Sequence, residues 1–281
     1  MRSPAAAGLF ILALAFAAAA QDVKRGEYVS KAAGCLGCHT EEKKDAAPYA
    51  GGRALKTPFG TFFGPNITPH REAGIGAWSE ADFVRAMREG RRPDGANLFP
   101  AFPYASFTRM SDGDLRDLWA YLRSLPASSR PSQPHELGFF YRWRFLVTIW
   151  KWFFFTPGPM VAEAAKSAVL NRGAYLVQAL GHCGECHTPR NFLGGPKNSR
   201  FLAGAKLGET AVANITPTRL KKLGDAELKD ILRTAITADG DVLAESMAEV
   251  VRNTTSQLTE QDLDAMIAYL RSLPALPDEA K

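Results

Sequence analysis

Two short strings hold all four cysteines of the chain: Cys35-Leu36-Gly37-Cys38-His39 and Cys183-Gly184-Glu185-Cys186-His187. Thiols three positions apart lie one helical turn from each other, so both can reach one flat group while the next-residue imidazole sits under its centre. This is the attachment pattern of c-type haem: each thiol forms a thioether with a vinyl group, and the histidine becomes an axial iron ligand. The competing chemistry is a zinc ion held by four thiolates. Zinc ribbons draw their pairs from within a few tens of residues, whereas Cys35 and Cys183 are 148 residues apart and each pair has its own histidine. The strings therefore predict two covalently bound haem c groups, with His39 and His187 on the irons. No Ser/His/Asp arrangement or phosphate loop competes with them, and no catalytic residue is assigned.

A six-coordinate electron-transfer haem needs a second axial ligand, commonly a methionine sulfur. Met247 stands seven residues beyond Gly240 and suits the second site. The same count from Gly95 reaches Phe102, which has no lone pair to give. Met110 is the nearest methionine, but it aligns with Leu258 just before a helix cap, the place of a hydrophobic staple. Three readings of the first iron stand open: Met110 recruited by a different loop path, an iron that is five-coordinate or takes an exogenous ligand, or another side chain such as His70. Arg53 and Arg190 are candidates for pairing with haem propionates. Asn66 and Asn214 are read either at a haem edge or as turn residues, and His182 as structural.

The elements that must position these groups come in two copies. Arg25-Gly26-x-Tyr28 matches Arg172-Gly173-x-Tyr175, and Asn66-Ile67-Thr68-Pro69 matches Asn214-Ile215-Thr216-Pro217. The seven residues Ala120–Pro126 are repeated without a mismatch at Ala268–Pro274. Each copy reads as helical: a first helix ending at the haem motif, a middle helix (about Ser79–Glu89 or Asp225–Ala235), and a terminal helix opened by Ser111 or Thr259. Leu115, Leu118, Leu122 and Leu125 form one apolar face of the first terminal helix, matched by Leu263, Met266, Leu270 and Leu273. Gly- and Pro-rich loops with little strand patterning lie between. The domain reading is a signal peptide over 1–20, haem domains over 21–126 and 170–281, and an intervening segment over 127–169.

Residues 1–20 combine Arg2, a short alanine-rich apolar core and Ala18-Ala19-Ala20, the pattern of an export signal. Haem c is attached after export in bacteria, so the expected location is the periplasm. Residues 139–155 concentrate ten aromatic residues with Arg142, Arg144 and Lys151. Three cations argue against a membrane span. The segment reads as packing between the lobes, or as a peripheral membrane or partner-docking surface. The formal charge of +5 is offset by two propionates per haem, and nothing resembles a nucleic-acid footprint.

The chain resembles bacterial di-haem cytochromes c related to the cytochrome subunits of alcohol and gluconate dehydrogenases. The likeness rests on Thr57-Pro58-Phe59-Gly60-Thr61, Gly74-Ile75-Gly76-x-Trp78-Ser79, Phe99-Pro100-Ala101-Phe102-Pro103-Tyr104, Gly181-His182-Cys183 through Arg190, and Met247-Ala248-Glu249-Val250-Val251. It implies an all-α protein of two tandem class I cytochrome c domains joined by an aromatic-rich connector. It also implies one-electron relay from a dehydrogenase donor to a respiratory-chain acceptor. Two departures stand out: those subunits have three haem domains, and their first lobe reads Pro-Ala-Met-Pro-Tyr where this chain has Phe102. The rival reading is a haem redox enzyme, peroxidase-like or acting on another small molecule, at the first iron; a third is a docking subunit for a dehydrogenase.

Overall fold

A computed structural model describes residues 23–208 and 210–278; the predicted export signal lies outside them. The first lobe contains α1 (23–32), α2 (Cys35–His39), the hairpin β1 (Ala54–Thr57) and β2 (Gly60–Phe63), α3 (Glu80–Glu89), α4 (Tyr104–Phe107) and α5 (Asp112–Ser124). Between the lobes come β3 (Glu136–Leu137) and α6 (Leu146–Phe154). The second lobe contains α7 (Ala168–Tyr175), α8 (Gly184–His187), β4 (Ala205–Leu207), β5 (Thr210–Val212), α9 (Pro217–Leu220), α10 (Asp225–Thr234), α11 (Glu245–Asn253) and α12 (Glu260–Ser272).

The helix starts follow their caps. Ser111 Oγ accepts from Asp114 N at 3.0 Å, and Thr259 Oγ1 accepts from Asp262 N at 3.2 Å, each satisfying a donor that the first turn leaves open. The leucine faces of α5 and α12 turn inward, with Leu115, Leu118, Leu263 and Leu270 all buried. The hairpins depart from the expectation of strand-poor loops. In the first, Ala54 pairs with Phe63 through to Thr57 with Gly60, and β3 adds a third strand. Thr57 makes the turn: its Oγ1 accepts from Phe59 N and donates to Gly60 O. Strands this short carry too few alternating positions to register as a period.

In both lobes the first helix crosses the terminal one at very close range. A Cβ on Gly26 would lie 1.9 Å from Asp117 O, and one on Gly173 would lie 1.9 Å from Ala265 O. The lobes differ at the end of this helix. Tyr28 precedes Cys35 by seven residues and Tyr175 precedes Cys183 by eight. The extra residue is absorbed by a π-helical turn over Leu176–Leu180, the usual way a helix accepts an insertion without breaking.

The lobes meet about a pseudo-two-fold axis. Tyr28 OH donates to Asp262 Oδ2 at 2.5 Å and accepts from Thr259 N. Tyr175 OH donates to Asp114 Oδ2 at 2.6 Å and accepts from Ser111 N. Each first helix thus caps the other lobe's terminal helix, while Arg25 and Arg172 hold the same aspartates from within their own lobes. One apolar cluster runs through both lobes, from Val29, Met87 and Leu115 to Leu176, Leu232 and Leu263.

The segment between the lobes is built inside out. Lys151 Nζ donates inward to Glu89 O, Gly90 O and Asn97 Oδ1, and Arg144 donates to Asn97 O. Their aromatic neighbours face outward: Phe140 is 73% exposed and Trp152 84%. Trp150 and Phe155 stack edge-on against Tyr104, and Phe154 lies against Gly195 of the second lobe. Only part of the aromatic run therefore packs between the lobes.

Candidate haem-attachment sites

Cys35 and Cys38 sit on α2; Cys183 precedes α8, which holds Cys186. The residue before each first cysteine takes a left-handed conformation, Gly34 at φ 62° and His182 at φ 40°. This bend turns the chain from the first helix into the motif. Burial pushes the Cys35 and Cys38 thiols up to about 11 and Cys183 up to about 12. Among the described residues, no three His, Cys, Asp or Glu side chains converge on a metal position.

The two histidines are oriented identically. His39 Nδ1 donates to Pro65 O at 2.8 Å, and His187 Nδ1 donates to Ala213 O at 2.7 Å. A carbonyl can only accept, so the Nδ1 proton is fixed and Nε2 is left as a bare donor to iron. Burial lowers the pKa of both imidazoles, favouring the neutral form that ligates.

Each accepting carbonyl belongs to the residue before Asn66 or Asn214, and these asparagines lock the loop. Asn66 Oδ1 accepts from Thr68 N and Oγ1, while its Nδ2 donates to Ser128 O and Arg130 O. Asn214 repeats the pattern with Thr216, Leu276 O and Asp278 Oδ1. Asn-Ile-Thr-Pro is thus more than a turn signal. It ties the tail after the terminal helix to the loop that aims the histidine, a link visible only once residues 62 or more apart are brought together.

The remaining sequence candidates are placed as follows. Met247 lies in the first turn of α11, partly exposed and outside the apolar cluster. Met110 is 0% exposed within that cluster, and Leu258 is buried at the matching position. Arg53 pairs with Glu42 and Glu249, and Arg190 with Glu185, so both meet protein carboxylates. His182 stacks on Phe107 with ring centres 5.4 Å apart, and its buried Nδ1 has no partner. His70 Nδ1 accepts from Ala73 N within its own turn.

The two sites adjoin across the seam. The Cys38 and Cys186 thiols are close enough to influence each other electrostatically. Arg53 of the first lobe reaches Glu249 beside Met247 at 2.7 Å, and Ser106 reaches Glu185 in the second haem motif at 2.8 Å. Sequence reasoning missed these cross-lobe ties, since neither partner carries a local signal.

A cytochrome c family model matches residues 23–126 and 170–274. A "diheme cytochrome c-type" protein of Cereibacter sphaeroides is 42% identical over 270 residues, covering 93% of this chain and 89% of the relative. The fructose dehydrogenase cytochrome subunit of Gluconobacter japonicus is 40% identical over 258 residues, 90% of this chain and 53% of the subunit. The gluconate 2-dehydrogenase cytochrome c subunit of Pantoea cypripedii is 34% identical over 281 residues, 93% of this chain and 63% of the subunit. The chain therefore spans between half and two thirds of those dehydrogenase subunits. With one family match around each Cys-x-x-Cys-His site, the chain belongs to the cytochrome c family and carries two covalently bound haem c groups.

Proposed function

We propose that the protein relays single electrons through its two haems in the periplasm, from a dehydrogenase towards the respiratory chain. The observation that carries this reading is the adjacency of the two attachment sites across the seam. Bound haem supplies reversible one-electron chemistry. The chain's own residues do the rest: His39 and His187 present Nε2, Met247 offers its sulfur at the second site, and the asparagine-locked loops fix both rings. We assign one haem each to 21–126 and 170–281, with 1–20 removed on export. The dehydrogenase donor is supported by relatives that are cytochrome subunits of fructose and gluconate dehydrogenases.

The test is a rapid-mixing experiment on the pre-reduced holoprotein with excess ferric mono-haem cytochrome c. Both haems should be oxidised in one-electron steps. A haem that stays reduced while the other empties sinks the relay.

The outward aromatic face over 139–155 supports peripheral contact with an anionic bilayer, because aromatic rings favour the membrane interface and the exposed Arg142 stands among them, Arg144 and Lys151 being turned inward. No helix among the described residues is long and apolar enough to cross a membrane. Flotation with anionic vesicles, lost in Trp152→Glu, is the expected result; wild type that stays unbound overturns this contact.

A further inference from the structure

We infer that the first-lobe iron receives no sixth ligand from the chain and that Phe102 lines an open position suited to a small uncharged diatomic molecule. This rests on the two-haem reading above.

The backbone shows that Phe102 stands in the place of Met247. Leu98 N donates to Gly90 O at 2.7 Å, as Leu243 N does to Ala235 O at 2.9 Å. Gly90 and Ala235 share a φ of 59°. The bridge Arg91–Asn97 matches Ile236–Val242, and the tight turns carry Gly95 at φ 82° and Gly240 at φ 86°. Phe102 N then donates to Phe99 O at 3.0 Å, just as Met247 N donates to Ala244 O at 2.8 Å. The two loops follow one path as far as the ligand position, so no shift brings a methionine to it.

Substitutes in the first lobe are engaged elsewhere. Met110 is wholly enclosed by protein atoms, and Met87 is buried in α3 where the second lobe has Leu232. His70 and His135 both accept at Nδ1, from Ala73 N and Phe63 N. A neutral imidazole that accepts at Nδ1 carries its proton on Nε2 and has no second lone pair for iron. Phe102 packs on Phe107 at 5.5 Å and on Tyr104 at 6.5 Å.

The chemistry of the loop selects the ligand. Phe99-Pro100-Ala101-Phe102-Pro103 contains no side chain able to donate a hydrogen bond, and the one donor that follows is the neutral phenol of Tyr104, buried without a partner and with its ring on Phe102. A bound anion or a splitting peroxide requires donors or an acid/base group aimed at it, whereas an uncharged diatomic molecule does not. The loop thus favours reversible ligand binding over peroxidase chemistry.

The experiment uses the holoprotein, with haem content measured first by pyridine haemochrome. Fewer than two haems c per chain would defeat the underlying reading by itself. With two haems present, the ferric spectrum should show one high-spin and one low-spin centre, and the ferrous protein should bind a single carbon monoxide per chain. Phe102→Met should convert the high-spin centre to low-spin and weaken carbon monoxide binding at least tenfold, while Phe102→Leu should keep both wild-type features. Two low-spin haems in the wild type, without carbon monoxide binding, overturn the inference. Met160→Leu and His182→Ala would then show which residue supplies the missing ligand.

Discussion

The two lobes share a histidine held by a loop carbonyl, an asparagine that locks that loop, and a terminal helix capped by the other lobe's tyrosine. They differ at one matched loop position, methionine at 247 and phenylalanine at 102. Duplication makes each lobe the control for the other. Features present twice belong to the scaffold that holds a haem, and a feature present once marks what one haem does differently. The scaffold is redundant in its hydrogen bonds, so a change at one ligand position can alter the iron without disturbing the fold.

Four experiments break or sharpen this comparison. The largest effect is expected from Met247→Phe, which copies the first lobe into the second. The low-spin signal of that haem should be lost, and its potential should fall by about 0.1 V or more, within the roughly 0.8 V range that axial ligands command; electron paramagnetic resonance and potentiometry read both. An unchanged spectrum would remove Met247 from the ligand set.

Next come Gly26→Ala and Gly173→Ala, which force a methyl group into a helix crossing that leaves 1.9 Å. Each should cost about 3 kcal/mol in denaturant unfolding of the holoprotein, the upper end of ordinary overpacking. Equal losses would confirm equivalent crossings; a smaller loss at Gly173 would show that the π-helical turn lets α7 give way.

Tyr28→Phe and Tyr175→Phe each remove a hydroxyl bonded to an aspartate of the opposite lobe. The expected loss is about 1.5–3 kcal/mol apiece, the range for hydrogen bonds to charged groups, with both haem spectra unchanged. A spectral change in one lobe only would reveal that the seam also tunes that haem.

The smallest effect is that of pH. Burial works against the Asp262 carboxylate, but hydrogen bonds from Arg172 and Tyr28 hold its carboxyl below the usual range. Its contribution is therefore complete above the unfolded value of about 4 and is lost as pH falls through the lower folded value. Unfolding curves should show a decline confined to acid, and Asp262→Asn should flatten it; a decline beginning near neutrality would assign the linkage to another group.

Much of this was legible in the residues. Cys-x-x-Cys-His carries its chemistry in five consecutive positions, so the haem sites needed no tertiary context. The caps at Ser79, Ser111 and Thr259 mark helix starts because a side chain and a backbone amide within one turn satisfy each other. The hairpins escaped, being three or four residues per strand. The role of Arg-Gly-x-Tyr escaped as well: its arginine acts within one lobe, its glycine at a crossing and its tyrosine across the seam, and none of these partners is near in sequence.

The sequence by itself determined the covalent chemistry, the duplication and the odd residue at 102, because each is a matter of residue type and local spacing. Only the tertiary structure decided that the two sites adjoin, that the asparagines aim the histidines, and that Lys151 and Arg144 turn inward beneath an aromatic face. Those outcomes depend on contacts between residues far apart in the chain, whose energies are settled when the lobes close on one another.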